Sequence, residues 1–86
     1  KENISDGIMY SIVLGLRSTY TINCLKNSKI STKKGLIDLI RDVVGTVEPY
    51  NAYLRSKNNQ QDKKLVPPET AEKLNDAIWK TKKKES

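Results

Sequence analysis

The sequence predicts an all-α fold, a compact bundle of about four helices. Apolar residues recur at three- and four-residue steps in four separate stretches. Residues that cap or close helices fall between those stretches. No run alternates in polarity for long enough to build a sheet. At 86 residues the chain is one domain. A domain this small buries only ~60–65% of the surface its unfolded chain exposes, which leaves no room for a catalytic domain beside it.

The first helix is expected over Ile4 to Lys26, capped by Ser5 or Asp6. Met9, Ile12, Val13, Leu16, Tyr20 and Cys24 form one apolar stripe, and Tyr10, Leu14 and Leu25 form a second beside it. A helix apolar around so much of its circumference belongs at the centre, with neighbours on more than one side. Asn27 and Ser28 end it. Ser31 or Thr32 caps the second helix, whose face of Leu36, Ile37, Leu39, Ile40, Val43 and Val44 turns inward. Gly45 suits the left-handed residue that closes a helix.

Thr46 caps a third helix that tolerates Pro49, because the first turn has no intrahelical partner for a proline's missing N–H. Val47, Tyr50 and Leu54 share a face, with Tyr53 beside it. The run Asn58-Asn59-Gln60-Gln61-Asp62 is a polar loop and the expected mobile part of the domain. Leu65 and Val66 precede prolines, are extended, and are expected to dock on the core. A fourth helix follows from Pro68 or Glu69, with Ala71, Leu74 and Ile78 inward and Ala77 and Trp79 at the margins.

Lysine and arginine total 16 against 10 acids, a net charge of +6. That balance favours nucleic acid, an acidic protein or an anionic surface as partner. Part of it is Lys80, Lys82, Lys83 and Lys84. The expected division is a helical domain over 1–80 and a basic disordered tail over 81–86. The single cysteine, Cys24, lies in an apolar stretch and fits a reduced, cytoplasmic home. No segment approaches the ~20 apolar residues of a membrane span, so no membrane partner is expected. The chain begins at Lys1 rather than methionine and is expected to be a piece of a longer protein.

Histidine is absent, which removes the usual general base near neutral pH and the commonest metal ligand. Asp38 and Asp42 stand one turn apart on a polar helix face, where solvation is the ordinary outcome. No glycine-rich phosphate loop follows a strand. No cofactor, metal or catalytic site is expected in this chain.

Arg17 falls between the two apolar stripes of the first helix. An arginine there must snorkel, pair with an acid such as Glu48 or Asp42, or line a cleft where its forked donors can meet phosphate. In Tyr50-Asn51-Ala52-Tyr53-Leu54-Arg55-Ser56-Lys57, aromatic and basic residues interleave, a mixture that stacks bases and grips phosphates. Tyr50 reads as core. Tyr53, Arg55 and Lys57 are the candidates for an exposed patch that, with Arg17, binds nucleotide or nucleic acid. Ser11, Gly15 and Thr19 form a small-residue strip that favours close helix packing.

The stretch Gly7-Ile8-Met9-Tyr10-Ser11-Ile12-Val13-Leu14-Gly15-Leu16-Arg17-Ser18-Thr19-Tyr20 resembles the opening of the helical domain that follows a small nucleotidyltransferase domain in certain archaeal predicted nucleotidyltransferases. The Lys-Asn-Ser-Lys-Ile-Ser turn, the Tyr50 to Lys57 segment and Glu69-Thr70-Ala71-Glu72-Lys73-Leu74 follow in the same order. The resemblance covers most of the chain, on patterned apolar and basic positions. It implies an accessory or substrate-positioning role beside an upstream catalytic domain, with Arg17 and the Tyr53–Arg55 patch facing the nucleotide cleft. That family's glycine-serine pair and metal-binding aspartates lie upstream and are not in this chain. Related helical domains cleave RNA through an arginine and a histidine, and this chain has no histidine.

Two other readings compete with the accessory domain. One is a helix-turn-helix DNA binder, in which Ser31-Thr32-Lys33-Lys34 opens a helix whose N-terminus meets phosphate or bases. The second helix has too continuous an apolar face to lie in a groove. The third is a better reader, although Pro49 and Tyr50 are unusual at its start. The other is a protein–protein module with no nucleic-acid role.

Overall fold

The computed structural model describes residues 2–60 and 63–85. Four helices follow in order: α1 (Asp6–Lys26), α2 (Lys33–Val44), α3 (Glu48–Lys57) and α4 (Pro68–Glu85). No strand is present among the described residues, and the one bridge joins Ile4 to Val66.

Local chemistry satisfies free backbone groups at the starts of α1, α2 and α3 and at the end of α2. The Ser5 hydroxyl accepts the Ile8 N–H at 3.3 Å, and Thr32 accepts the Gly35 N–H at 2.9 Å. Gly45, at φ +78°, closes α2 and donates its N–H to the Arg41 carbonyl. Val47 stands at the cap of α3, but the Thr46 hydroxyl still takes the Glu48 N–H at 3.2 Å. The main core is Met9, Val13, Leu16, Leu36, Ile40, Tyr50, Ala52, Tyr53, Val66, Ala71 and Leu74.

α1 is central, as its wide apolar surface requires: α3 and α4 both pack along it. Ile4 pairs with Val66 and Gly15 lies against Ile78, so α4 runs parallel to α1. The close approach at Gly15 and the buried Thr19 realise part of the small-residue strip as helix packing, while Ser11 is exposed. α2 packs on α4 and touches α3, and it does not lie along α1. That gap forms the cleft described below.

At four points the described structure adds to or departs from the sequence pattern. The basic tail is helical through Glu85: lysine and glutamate are good helix formers, lysines suit a helix C-terminus, and the Thr81 hydroxyl bonds back to the Ala77 carbonyl at 2.9 Å. Ser86, also assigned to that tail, lies outside the described residues, as do Gln61 and Asp62 of the expected loop. Only Val66 of the Leu65-Val66 pair docks; successive residues of an extended chain point to opposite sides, and Leu65 faces out. Leu25, assigned to an apolar stripe, is 72% exposed, while Cys24 beside it is buried: only one face of α1 is covered at that end. Trp79, placed at the margin of α4, is also exposed.

Candidate anion-binding cleft

A cleft of about 360 Å³ is lined by residues of α1, the start of α2 and α3. α1 contributes Arg17, Tyr20 and Thr21. α2 contributes its N-terminal end, Thr32 and Lys33, together with Ser31 ahead of it. Leu36 of α2 and Tyr50, Tyr53, Leu54 and Lys57 of α3 complete the lining.

The local sequence explains why a cleft forms here. The Tyr20 ring reaches across from α1 and sets its hydroxyl against Gly35, in the first turn of α2. A Cβ at that position would overlap the hydroxyl, so glycine is what lets the ring bridge the two helices. Tyr20 thus stands between the two helices, and Ser31, Thr32 and Lys33 at the start of α2 line the cleft beside it. The first intrahelical bond of α2 runs from the Leu36 N–H to the Thr32 carbonyl, and Thr32 takes the Gly35 N–H. Helix N-termini carry roughly half a positive charge and free N–H groups.

Three formal cations join that partial charge: Arg17, Lys33 and Lys57, all exposed. None makes an ion pair with a described residue, and no described carboxylate lines the cleft. Lys57 lies with its Nζ 6.0 Å from the centre of the Tyr53 ring, which anchors it without neutralising it. A concave site lined by one sign of charge focuses potential and draws in ions of the other sign. The arrangement can bind an anion. Among the described residues no group of three acids, cysteines or histidines stands close enough to hold a metal. Asp38 instead meets Arg41 at 3.8 Å on the surface of α2.

The four residues singled out in the sequence therefore divide. Arg17 and Lys57 both line the cleft. Tyr53 lines it but is not the exposed stacking platform expected; it is 4% exposed, stacked on Tyr10 at 5.2 Å and tilted against Tyr50 at 5.5 Å. Three aromatic faces that can bury each other do so in preference to facing water.

Arg55 lies outside the cleft. Its Nε donates to Asp6 Oδ2 at 2.8 Å, its Nη2 to Asp6 Oδ1 at 3.0 Å, and its Nη1 to Glu48 Oε1 at 3.4 Å. The Lys63 N–H adds a bond to Asp6 Oδ2 at 3.3 Å. These hydrogen bonds and charges hold the Asp6 carboxyl below its usual range against the opposing effect of burial. Arg55 thus clamps the antiparallel α1 and α3, and Glu48, an expected partner for Arg17, pairs with this arginine instead. The sequence reading missed Tyr20 and undervalued Lys33. The signal for Lys33 was present in Ser31-Thr32-Lys33-Lys34 as a phosphate-facing helix start, but nothing local placed Arg17 opposite it.

No family model, curated protein or solved structure matches this chain.

Proposed function

We propose that this chain is a non-catalytic helical domain that positions a phosphate-bearing substrate, nucleotide or RNA, for a catalytic domain elsewhere in its protein. The observation that carries the reading is the convergence of Arg17, Lys33 and Lys57 around one cleft without an acid among its described lining. A concavity lined by cations of one sign focuses a positive potential on a bound anion. Arginine supplies a forked donor for phosphate, and lysine supplies a point charge. The association with a nucleotidyltransferase rests on the resemblance of the sequence alone. The buried, unpaired Cys24 suits a reducing cytoplasm.

A DNA-reading helix has less support. A recognition helix needs three or four side chains reaching base edges. α3 turns Pro49, Tyr50, Ala52 and Tyr53 into the core, and its fully exposed side chains are Asn51 and Lys57.

The test compares two variants in titrations of labelled single-stranded RNA and of ATP. Arg17→Ala with Lys33→Ala removes two cleft cations. Lys80→Ala with Lys82→Ala and Lys83→Ala removes three from α4, a larger change of charge. The cleft variant should weaken binding roughly tenfold or more, since each charge-assisted contact is worth on the order of a factor of ten. The α4 variant should weaken it only about twofold, as screened diffuse charge does. The reverse ranking would sink the cleft as the site.

A further inference from the structure

We infer that the cleft is built for the terminal polyphosphate of a nucleotide-sized ligand rather than for the internal phosphodiesters of a nucleic-acid strand. The inference rests on the anion-binding reading above and narrows its substrate class.

The first argument is charge number. A phosphodiester carries one negative charge per nucleotide, and a cleft of about 360 Å³ has room for one nucleotide-sized body. A strand threaded through it would place about one charge among three cations. A terminal phosphate carries about two negative charges, and each inner phosphate of a chain adds about one. A diphosphate or triphosphate therefore brings about three or four charges, which match Arg17, Lys33, Lys57 and the α2 N-terminus.

The second argument is arrangement. Sites that bind single strands track the backbone with a positive groove and stack successive bases on aromatic faces. Here the three cations come from three different helices and surround one cavity. Tyr50 and Tyr53 turn their rings to each other and, for Tyr53, to Tyr10, so they show the cleft little of their faces. Tyr20, the third aromatic of the lining, is half-buried with its hydroxyl set against Gly35. Recognition therefore falls mainly on the phosphates, and the base is read weakly.

The third argument is the donor set. The described lining offers hydroxyls and cations but no carboxylate to share a divalent ion carried by the polyphosphate. Magnesium, which neutralises the same oxygens, should weaken binding here.

The experiment measures binding to the full chain by calorimetry, at one fixed salt concentration, with and without magnesium. The probes are ATP, GTP, AMP, inorganic tripolyphosphate, and one short RNA bearing either a 5′-triphosphate or a 5′-hydroxyl. ATP, GTP and tripolyphosphate should bind within about threefold of one another. AMP and the 5′-hydroxyl RNA should bind roughly tenfold or more weakly. The 5′-triphosphate RNA matching ATP would identify an RNA end as an acceptable source of the group; its failing to do so would identify the free nucleotide. AMP equal to ATP, or the two RNAs equal to each other, overturns the polyphosphate inference and leaves an anion cleft standing. If Arg17→Ala with Lys33→Ala binds every probe as the unaltered chain does, the reading beneath it falls as well. No binding to any probe overturns both.

Discussion

Replacing Asp6 with alanine should destabilise the fold by about 3–5 kcal/mol, the usual cost of leaving one partner of a buried ion pair alone. A domain of 86 residues has on the order of 4–13 kcal/mol in total, so this single change should remove about a quarter of it or more. The Asp6 side chain is 2% exposed and that of Arg55 is 17% exposed, and the two share a bidentate contact. Without Asp6, the guanidinium keeps only Glu48 at 3.4 Å, and the Lys63 N–H loses a side-chain acceptor. The backbone bond from the Asp6 N–H to the Lys63 carbonyl survives, so the 63–66 segment should stay in place while α1 and α3 loosen. Changing both residues, Asp6→Leu with Arg55→Leu, should recover more than half of the loss, because no buried charge is then left unmatched. Urea unfolding of the three proteins at neutral pH measures this. A loss below about 1 kcal/mol for Asp6→Ala would class the contact with exposed ion pairs.

The same contact sets an acid limit. The folded chain holds the Asp6 carboxyl below its ordinary 3.8, first through the hydrogen bonds from Arg55. A carboxyl lowered on folding stabilises the fold above the unfolded pKa, and that contribution is lost as pH falls through the lower, folded value. Unfolding midpoints taken from pH 6 downward should therefore fall more steeply in the unaltered chain than in Asp6→Leu with Arg55→Leu.

Leu16→Ala should cost about 2–5 kcal/mol, the range for truncating a fully buried leucine. Leu16 is 1% exposed at the middle of α1, between the elements that helix organises. The loss combines the transfer free energy of the missing methyl groups with a cavity that flanking helices fill incompletely. Leu25→Ala, on the same helix but exposed, should change stability by about half a kcal/mol or less. Equal effects at the two positions would mean that α1 is not the central helix.

These two results also mark what the sequence makes legible. The Leu16 stripe, the caps at Ser5 and Thr32 and the left-handed Gly45 are local patterns, written within a turn or two of the residue concerned. Such patterns give the four helices directly. The Asp6–Arg55 pair joins residues 49 positions apart, so no window along the chain reveals it. From sequence, Arg55 reads as an exposed cation and Asp6 as a cap. The Tyr53 ring was misplaced for a similar reason: its partner Tyr10 sits on another helix, and interleaved basic residues say nothing about which face turns inward. Arg17 was legible as an anomaly on an apolar wheel, while the object it faces was not. The cleft exists because α2 does not lie along α1, and that is a property of packing rather than of any one helix.

The central claim is that an anionic ligand sits between Arg17 and the start of α2. The most direct measurement is a titration of the isotopically labelled chain with ATP, followed by the amide resonances of every residue. Binding in the cleft should produce the largest shifts at Lys33, Lys34 and Gly35, with smaller ones over Arg17 to Thr21 and at Lys57. Amide shifts confined to Lys80, Lys82 and Lys83, or an unchanged spectrum at millimolar ATP, would contradict it.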